Sequence, residues 1–234
     1  MLRFLRRIRQ RLLYEGKLKN YLSYAIGEIV LVVLGILIAL QINNWNEEQK
    51  KLKLKDRYLE SLLTDLKKDS LRLSANIEFI NKDLRKHAGL AERLSAPETT
   101  IDTLLQIVKY EFDPFIDPSS ELSRNAITAI MSTGKIDLFE QGLRRAILQH
   151  NTLQQARITV MEESVRAYEG KNIDFPRIVK GPLAERMWKR MDKDDLLRSF
   201  VVLLESKIFM QNALLYQKQQ LLEETTALLK LISF

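Results

Sequence analysis

Tyr24 to Ile42 reads YAIGEIVLVVLGILIALQI, and this stretch decides the fold. Glu28 and Gln41 are its strongly polar side chains, and from Ile29 to Leu40 there is none. An α-helix over this run rises about 1.5 Å per residue and spans roughly 28 Å, close to a hydrocarbon core of about 30 Å. We therefore expect a transmembrane helix over residues 24–42. A helix buried in a soluble core competes with that reading. A cleaved signal peptide also couples a basic start to an apolar run. Here the run is long for one, and Leu40, Gln41, Ile42 and Asn43 lack small residues at cleavage spacing. An uncleaved signal anchor fits better.

The flanks give orientation. Residues 1–23 hold Arg3, Arg6, Arg7, Arg9, Arg11, Lys17 and Lys19 against Glu15, which accounts for nearly all of the chain's net charge of +7. The far flank holds Lys50, Lys51, Lys53, Lys55 and Arg57. Positive charge favours the cytoplasmic side, so the N-terminus is expected inside. Tyr21, Tyr24 and Trp45 sit where interfacial aromatics belong. The expected layout is a basic cytoplasmic tail over 1–23, the span over 24–42, and an extracytoplasmic helical domain over 43–234. In the tail, Leu5, Ile8 and Leu12 recur at helical spacing among arginines. A basic amphipathic helix on an anionic membrane surface and a plain topogenic signal both explain it. The membrane accounts for the tail's charge, and the rest of the chain is near neutral, so nucleic acid is not expected as a partner.

Within the span, Ser23, Gly27, Gly35 and Ala39 follow an i, i+4 spacing, which suits close helix–helix packing in lipid. Glu28 is an ionisable group about 6 Å inside the boundary. Such groups are costly in lipid. Pairing or snorkelling to the headgroups is one reading, and partner recognition or proton movement the other.

Beyond the membrane the pattern is helical. Gly and Pro number only 8 and 5, too few for a many-turned β fold. Leu59, Leu63, Leu66, Ser70, Leu73, Ile77, Ile80, Leu84, His87, Ala91 and Leu94 alternate spacings of four and three, with Trp45 and Leu52 in phase. That predicts a long helix running out of the span with a coiled-coil-like seam. Pro97 should end it. A helix is expected over 100–110. The segment DPFIDPSS at 113–120 reads as a loop whose Ser119 or Ser120 caps a helix to about Ser132. The segment STGK at 132–135 reads as a turn. Further helices are expected over about 139–169 and 183–191, separated by a loop at 170–182. A last long helix starts near Asp192, with Val201, Ile208, Leu215, Leu222 and Leu229 at seven-residue spacing. Leu197, Leu204 and Ile232 sit at companion positions, which Gln211, Lys218 and Thr225 interrupt. The fold class is all-α, a span continued into a long-helix bundle. Antiparallel packing within the chain and parallel packing between chains would each bury the seams.

Chemical sites are weak. There is no cysteine, so neither disulfides nor thiolate metal sites arise. No phosphate-cradling, GxGxxG, HExxH or GxSxG motif occurs. His87 and His150 lie on separate helices, so a metal site would need them brought together. Glu111, Asp113 and Asp117 crowd one loop without calcium-loop spacing. Arg144–Arg145 and Lys189–Arg190 read as solvated faces. No catalytic residue, cofactor or small-molecule substrate is expected.

The stretch YAIGEIVLVVLGILIALQINNWNE, with RIRQ at 7–10 before it and STGKIDLFEQGLRRAIL at 132–148 after it, resembles the signature of a bacterial family of uncharacterised membrane proteins. Gly27, Glu28, Gly35, Asn43, Asn44 and Trp45 match it. The resemblance implies a Gram-negative inner-membrane protein with a periplasmic helical domain, and no activity. Expected partners are the lipid bilayer and either further copies of the chain or another membrane protein. The leading expectation is an interaction or scaffold subunit of an inner-membrane assembly. A helical-bundle sensor acting through a partner comes second, and an enzyme third.

Overall fold

The computed structural model describes residues 18–116, 122–172 and 192–233. Among these the chain is helical, without strands. The elements are α1 (Leu18–Ser95), α2 (Ile101–Gln106), a π-helical turn (Ile107–Glu111), α3 (Asn125–Ser132), a 3₁₀ turn (Lys135–Leu138), α4 (Gln141–Asn172) and α5 (Lys193–Ser233). The expected helix over 183–191, the caps Ser119 and Ser120, and the basic tail to Lys17 lie outside the described residues. The chain divides between Asp56 and Arg57 into two compact units.

The first unit contains the apolar start of α1. Its large side chains from Leu22 to Ile42 are each 46–72 % exposed, and the most apolar window has a mean hydropathy of 2.6. Among the described residues this is the one helix long and apolar enough to cross a membrane. Burying one large apolar side chain is worth about 1.5–3 kcal/mol. Half-exposed over some five turns, the set would gain more than ~10 kcal/mol from an apolar covering.

The second unit packs the Arg57–Ser95 part of α1 with α4 and α5. Leu62 and Leu66 of α1 cluster with Ile147 of α4 and Leu228 of α5, together with Ala126, Ile127 and Ile130 of α3 and Phe139. Further along, Ile80 and Leu90 join Phe112, Met161, Val165, Phe200, Leu204 and Leu214. As α1 climbs from 62 to 90, its α5 partners descend from 228 to 200, so α1 and α5 run antiparallel. Intrachain antiparallel packing therefore buries both seams.

The seams are not in the frame the apolar pattern predicts. On α1, Leu66, Leu73, Ile80 and His87 are buried as expected. In the other column Leu62, Asp69 and Leu90 are buried and Asn76 and Asp83 half-buried, while the expected Leu63, Ser70, Ile77, Leu84 and Ala91 flank it half-buried, Leu84 and Ala91 packing against the core. On α5 the core is Phe200, Leu204, Lys207, Gln211, Leu214, Lys218, Leu221, Thr225 and Leu228. Val201, Ile208, Leu215, Leu222 and Leu229 flank it, half-buried. The residues that seemed to interrupt the seam are buried in it, with partners inside the bundle such as Asp83 for Gln211 and His150 for Thr225.

Local signals set the connections. α1 stops two residues short of Pro97, and Thr99 closes the end through its amide to Ala96 O (3.0 Å) and its hydroxyl to Arg93 O (2.6 Å). Thr100 caps α2 through the Thr103 amide. The expected helix over 100–110 is present, but its second half widens into a π turn closed by Phe112 N–H to Ile107 O at 2.8 Å. That extra residue turns Phe112 into the core. In the STGK turn, Gly134 has φ +64°, a left-handed conformation that a side chain would strain.

Candidate functional site

The unusual feature of the second unit is a column of buried polar side chains. Asp69 and His87 of α1, His150 and Gln154 of α4, and Lys207, Gln211, Lys218 and Thr225 of α5 are all buried. Ionisable groups are rarely placed inside without partners, so each partner matters.

The upper cluster centres on Lys207. Its ammonium donates to the carbonyls of Asp113 and Phe115, the latter at 2.9 Å. It lies 3.5 Å from Asp83 Oδ2 and 5.8 Å from the centre of the Phe112 ring. Gln211 donates to the same Asp83 oxygen. Burial pulls the Lys207 ammonium below its ordinary range, and Asp83 and Asp113 oppose that pull. One turn on, His87 Nδ1 sits 2.7 Å from the Asp83 carbonyl. A carbonyl only accepts, so Nδ1 carries the proton and Nε2 is a bare lone pair. Among the described residues that Nε2 is buried without a partner. Burial, then the nearby Lys207 charge, lowers the His87 pKa. The His87 ring meets Phe112 edge-on at 5.5 Å, and Phe112 meets Phe200 at 5.0 Å. Tyr168 of α4 donates its hydroxyl to Pro114 O at 3.0 Å, and burial raises its pKa. The stretch Asp113–Phe115 is thus held by Lys207 from α5 and by Tyr168 from α4.

The lower cluster joins α1, α3 and α4. Asp69 Oδ1 accepts the Ser123 amide at 2.7 Å, and its other oxygen lies 3.5 Å from Gln154 Nε2. Asp65 Oδ2 accepts the Ala126 amide at 2.9 Å. Asp65 caps α3 from another helix and Asp69 holds the residue before its cap position, while α3 has no side-chain cap of its own. Desolvation raises the Asp69 pKa, and the Ser123 hydrogen bond works against that. Arg124 ties α3 to Asn151 and Gln155 of α4. His150 Nε2 meets Thr225 Oγ1 at 3.1 Å, and burial lowers its pKa. Arg157 grips Glu224 with two nitrogens and donates to Gln217 at 2.8 Å.

The cluster around Lys207 brings a carboxylate, an imidazole and an ammonium together, but it is closed by aromatic rings and backbone. A cleft of about 220 Å³ lies between α4 and α5 and is lined by Ala146, Gln149, His150, Leu153, Glu224 and Leu231 among others. Among the described residues no group of three or more His, Cys, Asp and Glu side chains could hold a metal. His87 and His150 pair with different partners. Glu111 is engaged by Arg93, Asp113 Oδ1 accepts the Phe115 amide, and Asp117 lies outside the described residues. Arg144, expected as a solvated face, is half-buried and holds the 3₁₀ turn through Asp137 and the Phe139 carbonyl.

In the first unit, Ser23, Gly27, Gly35 and Ala39 are exposed and Glu28 half-exposed. Nothing lies within 4 Å of a side chain added at Gly27 or Gly35. An i, i+4 row winds about 40° per step on a 3.6-residue helix. Ser23–Gly27 and Gly35–Ala39 are therefore two small-residue patches, not one continuous stripe. Gln41 and Trp45 are exposed. The side chains of Lys19, Tyr21 and Tyr24 lie outside the described set.

A family model described as a family of unknown function, DUF6090, matches residues 28–148. The matched stretch holds Asp65 and Asp69 with the Ala126 and Ser123 amides they accept, and Asp83, whose partners Lys207 and Gln211 lie beyond it on α5. No curated protein and no solved structure matches the chain.

Proposed function

The chain belongs to DUF6090, a family of unknown function, so kinship supplies no activity, and we propose from its own residues a single-span membrane protein whose helical unit is an interaction module of an inner-membrane assembly. The observation that carries this is the uncovered apolar surface of α1 from Leu22 to Ile42, on a helix that continues unbroken to Ser95. A bilayer is the covering whose thickness that length fits. The arginine-rich start supports a cytoplasmic N-terminus and a periplasmic second unit. An interaction role suits the second unit because its buried polar groups are spent on its own chain: Lys207 on a loop, Asp65 and Asp69 on α3, His150 on Thr225. They hold a shape. The patches Ser23–Gly27 and Gly35–Ala39 would admit a neighbouring helix within the membrane.

Three measurements test this. The chain should remain in the membrane pellet after alkaline carbonate extraction. A reporter fused after Phe234 should be active only outside the cytoplasm. Release by carbonate would overturn the anchor, and a cytoplasmic readout the orientation. Gly35→Leu should shift the native size of the gently extracted protein. Unchanged size would remove the membrane patch from the assembly. The cleft between α4 and α5 favours a sensor as the second reading, and a stabilising small ligand in a thermal-shift screen would support it.

A further inference from the structure

α5 carries a second seam on the side away from the core. Val202, Ser206, Phe209, Ala213, Tyr216 and Gln220 alternate spacings of four and three, the period of a helix that faces another helix along its length. Val202, Phe209 and Tyr216 are 63, 74 and 58 % exposed. Between Glu205 and Glu223 the charged residues of α5 are Lys207 and Lys218, and both are buried in the core. The outer face over those four turns is therefore uncharged, in a chain whose charged fraction is 29 %. Its polar side chains are partly satisfied within α5: Ser206 donates to Val202 O at 2.6 Å and Asn212 to Ile208 O at 2.9 Å. Exposed aromatic residues with depleted charge are the composition of an interface centre.

We propose that this face binds a second copy of the chain, α5 against α5, parallel and in register. An uncharged face repels no copy of itself. Seven-residue recurrence sets Val202, Phe209 and Tyr216 each against its twin, while the small Ser206 and Ala213 between them let the backbones approach. A Gln220 pair can fix the register, as single polar seam residues do. The direction rests on the membrane anchor proposed above. Two copies held in one bilayer are related by an axis along its normal, and residues beside such an axis meet their own equivalents. Area makes the same connection. A buried aromatic side chain contributes about 150–250 Å², so at these exposures the face offers roughly 400 Å² per copy. That is about 800 Å² in total, below the ~1,200 Å² of a stable soluble complex. Confinement in a shared bilayer raises effective concentration, as a short tether does, and makes such a face sufficient.

The natural chain has no cysteine, so single cysteines report the pairing in native membranes. Ser206→Cys and Ala213→Cys, each in the full chain, should give disulfide-linked dimer under mild oxidation. Its yield should exceed by at least about five-fold that of Glu163→Cys, an exposed control on α4. Adding Phe209→Glu to Ala213→Cys should return the yield to the control level. Control-level yields at both positions, from a chain that still resists carbonate extraction, would overturn the dimer and leave the anchor intact. A disulfide to a different protein would overturn the second copy as the occupant. Loss of the chain to the alkaline wash would refute the anchor and the parallel pairing with it.

Discussion

Replacing Lys207 by Met tests whether the polar column holds the second unit together. Met keeps the length of the side chain and removes the charge. In the folded chain Lys207 is fully buried and serves the Asp113 and Phe115 carbonyls and Asp83 Oδ2 at once. Its removal leaves those three acceptors short of a donor, Asp83 keeping only Gln211 and the edge of His87. Breaking a buried ion pair by deleting one partner costs about 3–5 kcal/mol, mostly as the desolvation of what remains. For a domain of this size about 1 kcal/mol moves Tm by roughly 2–4 °C. Lys207→Met should therefore lower the melting temperature by something like 6–20 °C.

The control is the double variant. Asp83→Leu with Lys207→Met removes both charges, and paired apolar replacement of a buried ion pair is often close to neutral. The double variant should melt above the Lys207→Met single variant, with a coupling of at least about 1.5 kcal/mol. The assay is thermal and urea unfolding of the full chain in detergent, followed by helical circular dichroism. Two results would refute the reasoning. One is a Lys207→Met chain that melts with the parent. The other is a double variant whose loss equals the sum of the singles, which would mean that Asp83 and Lys207 do not act on one another.

Three further predictions follow from the geometry. Both histidines have folded pKa values below their unfolded 6.5, so the unfolded chain binds protons more readily. Stability is then held above about pH 6.5 and lost as pH falls below it, by at most ~1.4 kcal/mol per pH unit for each histidine. Urea midpoints from pH 7.5 to 5.0 should decline, and His87→Leu should flatten the slope; a flat parent profile would contradict the burial of both rings. Gly134→Ala forces a side chain into a left-handed turn and should cost about 1 kcal/mol, read as a fall of a few degrees in Tm. Asp65→Ala removes a cap that α3 cannot replace and should cost about 0.5–2 kcal/mol, with the Ala126 amide exchanging faster with solvent; unchanged protection there would show that the cap is idle.

The long apolar run, the continuity of α1 through residue 95, the stop at Pro97 and the STGK turn were legible because each rests on local chemistry. The seam frame was legible only by half. Pattern reading assigns polar residues to the outside, and on that rule Leu63, Ile77 and Leu84 outcompete Asp69, Asn76 and Asp83 as core candidates. One signal was available: Asp69, Asn76 and Asp83 recur every seven residues on α1, as Gln211, Lys218 and Thr225 do on α5. Two polar columns with one period, on helices expected to pack together, point to polar groups inside the bundle, and Asp83 and Gln211 do pair across them. The start of α3 was illegible for a different reason. Its cap, Asp65, comes from α1, 61 residues away, and Arg124 in the local cap position carries no signal. The widening at 107–111 leaves no mark in propensity either, since it serves to place Phe112 between His87 and Phe200.

The polar column also explains why so leucine-rich a bundle has one register. On α5, Leu214, Leu221 and Leu228 repeat every seven residues, so sliding α5 along α1 by one heptad would still set apolar against apolar. The polar groups do not tolerate it. A slip of seven residues would bring Leu214 or Phe200 to the level of Lys207 and leave the Asp113 and Phe115 carbonyls without their ammonium. It would also carry Thr225 away from His150 and Glu224 away from Arg157. Each buried group stranded in this way costs about 1–3 kcal/mol, and more where it is charged. The apolar seam supplies the attraction and the column selects the alignment, the best-attested use of buried polar groups in helical assemblies. A register fixed within the chain keeps Val202, Phe209 and Tyr216 facing outward together, which an interaction surface on α5 requires.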